Sequence, residues 1–285
     1  MKTVVPDITT AVQIDATIGE SPIWSAKRQR LLWIDIMGGK LHAYDRAAGR
    51  NETLEIPAIV GALAEDPLGT LTLGLGSDLA RLTSNGEVER FASPPHAEPG
   101  FRFNDGKYDS QGRLWTGLMN TEGRKGSGIL YRYDPDGIWH VFDRGFDLPN
   151  GLEWSHDGRT FYFTDSHKGE IHAYDFEPNS GDIGNRRLFF SIDPALGKPD
   201  GLTIDEEGFF LSVLFDGSAI LRIDPEGKVE RKIELPVPRP TCCTFAGDGR
   251  HLFVTTARVG LSDADLQVAP ASGALLRLDY EEALQ

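Results

Sequence analysis

One plan recurs six times along this chain of 285 residues, and that recurrence limits its fold more than any other feature. Each copy opens on a turn with a small or polar residue. It then runs through a short apolar segment, a glycine turn, a second apolar segment and a third, and ends on an Asp or Gly turn. The copies begin at Gly19, Val60, Phe103, Pro149, Pro199 and Pro240, at intervals of 41, 43, 46, 50 and 41 residues. Such an interval is that of one four-stranded propeller blade, about 40–50 residues. Alternation in LHAYD, LYRYD, IHAYD, LRID and LRLD is the period-2 pattern of strands, and no sustained helical spacing occurs.

A fourth, outermost strand follows the first five copies as TLEIP, VERFA, WHVFD, RLFFS and VERKIEL, whereas the sixth lacks one. The segment AVQIDA, residues 11–16, precedes the first copy and has the same character. A left-over strand at one end and a vacancy at the other predict an all-β, six-bladed propeller of four-stranded antiparallel blades, its ring closed by the N-terminal strand. Closure removes the bare sheet edge an open array would present. No Pro/Ser-rich linker or low-complexity tract interrupts the chain, so residues 1–285 read as a single propeller domain. The stretches 93–100 and 260–273 read as surface loops.

Composition narrows the partners. With 29 Lys+Arg against 43 Asp+Glu the net charge is −14, unsuited to phosphate backbones or anionic lipid. The first thirty residues contain no apolar stretch of the length a secretory signal needs, and no apolar run of membrane-spanning length is present. Cys242 and Cys243 are adjacent; Cα atoms ~3.8 Å apart fall below the usual ~4.4–6.8 Å disulfide window, so both read as free thiols. A cytoplasmic protein is expected, with no nucleic-acid, membrane or protein partner implied.

In a propeller each blade begins beside the central channel, so equivalent positions ahead of the first strand gather at one end of it. That column reads Glu20, Val60 or Gly61, Asn104, Asn150, Asp200 and Thr241. Asn-Gly, Asp-Gly and Asn-Asp-Gly each read singly as turn chemistry. The Asp-Gly pairs at Asp136, Asp157, Asp216 and Asp248 are read as turns between outer strands. Glutamate has no special turn role, yet Glu20 occupies the same column. Carboxylate and carboxamide oxygens converging from separate blades are what a hard divalent cation requires.

The ordered set G-E-S-P-I-W, R-F-N-D-G-K, P-N-G-L, P-D-G-L and T-C-C-T-F…T-T-A-R, spread over about residues 12 to 280, resembles the family of gluconolactonase, regucalcin (senescence marker protein) and luciferin-regenerating enzyme. The resemblance implies a six-bladed propeller that hydrolyses sugar lactones with one divalent metal ion, Ca, Zn, Mg or Mn. It further implies Glu20, Asn150 and Asp200 as metal ligands, and Arg102, Asn104 and Glu122 as substrate-binding residues. One departure stands out: where relatives often carry W-N-G or W-G-G in the fifth repeat, this chain has Phe215-Asp216-Gly217.

Hydrolysis of a cyclic ester builds negative charge on its carbonyl oxygen, which a bound cation can stabilise. Asp200 is the expected catalytic base, because a ligand carboxylate keeps a second oxygen free to take the water's proton. The rigid fork of Arg102 and the mixed donor–acceptor amide of Asn104 suit sugar hydroxyls. No G-x-S-x-G elbow, H-E-x-x-H helix, P-loop or dinucleotide fingerprint occurs. GRKGSG at 123–128 reads as a loop near the mouth, Asp35 and Asp165 as structural hydrogen-bond acceptors, and most histidines (42, 96, 140, 156, 167, 172 and 251) as surface or strand-end residues. An aldonolactonase, gluconolactone-like, is therefore the expected activity. The alternatives are a metal-dependent phosphotriesterase or aryl esterase, which needs a mostly apolar pocket, and a non-enzymatic calcium-binding propeller.

Overall fold

A computed structural model describes residues 1–83, 85–95 and 98–284; His96, in the loop at 93–100, lies outside the described residues. Two strands precede the first repeat, β1 (Lys2–Val4) and β2 (Ile8–Val12). Blade I holds β3 (Gly19–Ser25), β4 (Arg30–Asp35), β5 (Lys40–Asp45) and β6 (Arg50–Glu55). Blade II holds β7 (Val60–Glu65), β8 (Leu71–Leu75), β9 (Asp78–Leu82) and β10 (Val88–Ala92). In blade III come β11 (Phe101–Tyr108), β12 (Leu114–Asn120), β13 (Gly128–Tyr133) and β14 (Trp139–Phe146). Blade IV follows with β15 (Pro149–Trp154), β16 (Thr160–Asp165), β17 (Glu170–Phe176) and β18 (Ile183–Ser191). Blade V has β19 (Lys198–Ile204), β20 (Phe210–Phe215), β21 (Ala219–Ile223) and β22 (Val229–Glu234). The last repeat gives β23 (Pro240–Phe245), β24 (His251–Thr256) and β25 (Leu275–Asp279).

Blade VI is completed by β2, antiparallel to β25 with Ile8 opposite Leu278. The closing strand thus runs over Ile8–Val12, a few residues earlier than AVQIDA. The innermost strands pack in cyclic order, β3 on β7, through β11, β15 and β19, to β23 on β3. This is the six-bladed antiparallel propeller. A further strand was not legible: β1 adds to the outer edge of blade V, parallel to β22, with Lys2 opposite Arg231.

The core consists of six apolar seams, one between each pair of neighbouring blades. Leu32 and Ile34 of blade I meet Leu63 and Leu73 of blade II, for example, and Trp115 of blade III meets Phe161 and Phe163 of blade IV. Val12 and Leu275 of blade VI join Leu31 and Trp33 of blade I across the point of closure. Each blade is therefore covered on both faces, and second strands such as β12 are buried at every position. The stretch 260–273 is not wholly irregular: α1 (Asp263–Val268) starts at Ser262, whose side chain and Asp265 form a capping box. Asp157 and Asp248 lie in hairpins that leave the innermost strand, not between outer strands.

Candidate active site

All six innermost strands break register at the same level. The shifts fall between Glu20 and Ile23, Val60 and Ala62, Asn104 and Gly106, Asn150 and Leu152, Pro199 and Leu202, and Pro240 and Cys243. The Asn-Gly and Asp-Gly pairs of the column are therefore strand bulges rather than turns. A bulge inserts an unpaired residue, bends the strand and re-aims a side chain; here it turns Glu20, Asn104, Asn150 and Asp200 toward one cavity. Ser21 and Asp105, the residues after Glu20 and Asn104, take positive φ of 48° and 59°. At Gly151 the reason for glycine is proximity, since a Cβ there would lie 2.5 Å from the carbonyl oxygen of Asp200.

The cavity, about 240 Å³, opens at one end of the channel. Glu20, Asn104, Asn150 and Asp200 are buried at its floor. Ile18, Ile36, Leu148 and Phe215 supply apolar wall, and Arg102, Ser166, His167 and Lys198 complete its polar lining. Arg102 Nη1 donates to Asn104 Oδ1 at 2.7 Å and to Phe103 O at 2.9 Å, while Asn104 Nδ2 donates to Pro149 O at 2.8 Å. The amide of Asn104 is thereby fixed, with one N–H left for a ligand. Asn150 Nδ2 donates to Asp200 Oδ1 and to Ser166 Oγ, the latter at 3.0 Å. Ligation by Asn150 requires its amide oxygen, which here accepts from Gly151 N at 3.2 Å, to turn toward the carboxylates.

Burial, together with Asp200 and Asp105, pushes the Glu20 carboxyl well above its ordinary range. Asp200 is likewise raised, by burial and then by Asp105. Burial also carries Asp105 up to about 6. Against these three acids stands Arg102, itself lowered to about 10 by burial and held up by Glu20 and Asp200. Among the described residues no three His, Cys, Asp or Glu side chains form a metal-holding group. The donor set is two carboxylates and a carboxamide with an unmet demand for positive charge, which fits a hard divalent cation rather than a soft one.

Second-strand aspartates hold in place the strands that bear Glu20 and Asn150. Asp35 accepts from Thr17 N at 3.0 Å and Ile18 N at 3.1 Å, just ahead of Glu20. Asp165 does the same for Asp147 N at 2.9 Å and Leu148 N at 3.0 Å, just ahead of Asn150. Both bear out the structural reading of these residues. Glu122 sits apart: it is exposed on the turn after β12 and does not line the cavity. Thr241 Oγ1 donates to Gly19 O at 2.5 Å, tying blade VI to blade I. Ser166 lines the cavity, and Asp105 raises the Glu20 and Asp200 carboxyls without lining it; sequence reasoning passed over both, and their signal was adjacency to Asp165 and Asn104. Cys242 and Cys243 are buried free thiols, raised by burial, and pack as expected.

Comparison with known proteins agrees with this architecture. Residues 18–258 match the model of the SMP-30/Gluconolactonase/LRE-like region. This chain belongs to that family. The family member is 35% identical over 270 residues to regucalcin of Gallus gallus, covering 92% of this chain and 90% of the relative. It is 33% identical over 265 residues to a 6-deoxy-6-sulfogluconolactonase of Pseudomonas putida, covering 92% and 91%. The crystal structure of a calcium-binding protein, regucalcin, from Agrobacterium tumefaciens superposes with a TM-score of 0.92 at 25% identity, over 98% of this chain and 95% of that one. Relatives that are themselves named lactonases make this family member an enzyme of the lactonase class. Among its described residues no helix is long and apolar enough to cross a membrane.

Proposed function

We propose that the protein is a metal-dependent sugar lactonase that opens an aldonolactone, gluconolactone-like, to its aldonic acid. The observation that carries this reading is the meeting of Glu20, Asn150 and Asp200, from blades I, IV and V, in one cavity beside Arg102 and Asn104. Glu20, Asn150 and Asp200 would hold a divalent cation, which when bound would supply Lewis acidity toward a carbonyl and lower the pKa of a water. Relatives named regucalcin, one described as calcium-binding, make calcium the first ion to test.

Asp200 accepts the proton of the attacking water through the carboxylate oxygen not committed to ligation. Its protonated form then returns that proton to the ring oxygen as the C–O bond breaks. Arg102, braced on Phe103 O and Asn104, keeps further N–H groups for the sugar's hydroxyls, and Asn104 offers its remaining N–H. Glu122, at its exposed position, is left to contact a group that projects beyond the cavity. The mixed lining favours a hydroxylated substrate over a phosphotriester, which presents no hydroxyls to these groups.

The test is lactone hydrolysis with and without added Ca²⁺, Mg²⁺, Mn²⁺ or Zn²⁺, the spontaneous ring opening subtracted. Turnover is expected only with a cation, and Asp200→Asn is expected to lower kcat at least about a thousandfold while leaving the fold intact by circular dichroism. Persistent lactone hydrolysis by Asp200→Asn would overturn the base assignment, and faster turnover of a phosphotriester would overturn the substrate class.

A further inference from the structure

We infer that the cavity mouth over blades IV and V is a subsite for an oxyanion, so that the substrate is an aldonolactone carrying a carboxylate or a phosphate at the end of its carbon chain away from the lactone carbonyl. The inference rests on the lactonase reading and deepens it.

The buried groups of the cavity are the acids and amides described above, whereas its exposed polar lining residues, Lys198 and His167, are bases. In a chain of net charge −14 a mouth lined this way runs against composition. Lys198 begins β19, two residues ahead of Asp200, and faces Phe215 across the β19–β20 pair. His167 follows Ser166, which holds the Asn150 amide, in the adjacent blade. The two bases thus come from the two blades that supply Asn150 and Asp200.

Neither base donates a hydrogen bond to a described residue. Asp216, the acid nearest Lys198, is taken by Arg239: its Oδ1 accepts from Arg239 Nε at 2.6 Å. Lys198 Nζ forms an ion pair with the other oxygen, Asp216 Oδ2, at 3.6 Å, too long for a hydrogen bond. His167 makes no hydrogen bond or ion pair with the described residues. Arg239 also lies 5.1 Å from the centre of the Phe215 ring, so Phe215-Asp216 and Arg239 form a braced wall behind the lysine. The ammonium, ion-paired only at 3.6 Å with a carboxylate that Arg239 already holds, keeps its three N–H donors for a ligand. A hydroxyl gains little from such a group; an oxyanion gains a charge-assisted hydrogen bond.

The experiment compares kcat/KM of the cation-loaded enzyme on glucono-1,5-lactone, glucaro-1,4-lactone and 6-phosphogluconolactone, and the calorimetric affinity for gluconate, glucarate and 6-phosphogluconate. At least one acidic lactone is expected to exceed the neutral one about tenfold, the size of one charge-assisted hydrogen bond. Which of the two does so identifies the carboxylate or the phosphate. Lys198→Met is expected to lower that ratio about tenfold and Lys198→Arg to keep most of it. Raised salt should narrow the preference. A wild-type ratio at or below one, or a ratio that Lys198→Met leaves in place, overturns the subsite while sparing the lactonase reading. Should no lactone turn over, the lactonase reading fails. Calorimetry then decides the subsite alone: tighter binding of an acidic ligand that Lys198→Met abolishes sustains it, and equal binding overturns it.

Discussion

His42 on β5 is buried, stacked on Trp33 with ring centres 4.2 Å apart, and bonded through Nδ1 to Thr53 Oγ1 at 2.9 Å. Its Nε2 has no partner. Burial lowers its pKa to about 4, against a smaller opposing effect of Asp35. The unfolded chain therefore binds the proton first as pH falls. The stability held by neutral His42 is complete above about 6.5 and is lost as pH falls toward 4. Urea titrations across that window are expected to show a decline of at most about 3 kcal/mol from this group, flattened in His42→Phe. An unchanged slope in that variant would remove His42 as the cause. The sequence reading put most histidines at surfaces or strand ends because alternation normally means one wet face. In this ring both faces of every blade are covered, so the polar phase of LHAYD and IHAYD is buried as well, at His42 and His172. By contrast Glu20 was legible, since a glutamate in a column of turn-forming residues has no local reason to be there.

At the scale of the strand, the bulge is the device that makes the site. The dipeptides that form it, Asn-Gly and Asp-Gly, are the same ones that form turns, and only ladder register separates the two. That is why the column could be aligned from sequence while its conformation could not. Gly151→Ala is expected to force β15 and β19 apart, costing about 1–3 kcal/mol by overpacking. It should also move Asp200, lowering kcat at least tenfold with a smaller change in midpoint denaturant than a core deletion gives. Wild-type kcat in that variant would show that the close approach is unimportant to the chemistry. The aspartate clamp gives a second prediction. Asp165→Ala strips the acceptors from Asp147 N and Leu148 N, costing about 2–4 kcal/mol in urea unfolding. It should weaken the divalent cation's protection against thermal unfolding, because Asn150 follows that segment.

Across the molecule, six seams make each blade's stability depend on its neighbours, as in other repeat architectures. Repeat spacing and the surplus strand disclosed the ring and its closure. The short β1 escaped notice because the three residues Lys-Thr-Val, the first two of them exposed, carry no pattern. Deleting residues 1–5 is expected to lower Tm by no more than about 4 °C, whereas deleting residues 1–12 bares the edge of β25 and one side of the closing seam. The longer deletion should melt at least about 10 °C lower and associate in size-exclusion chromatography. Equal melting of the two truncations would mean that β2 does not lock the ring. The same seam orders the events of synthesis. A ribosome makes β2 first among the strands of blade VI and β25 last, so the early strand must wait, unpaired, while nearly all the rest of the chain emerges. Glu20 likewise awaits Asp200. Mature geometry where Glu20 meets Asp200 is thus complete only once the ring has closed, and a nascent chain stalled before its final blade has no working enzyme to offer.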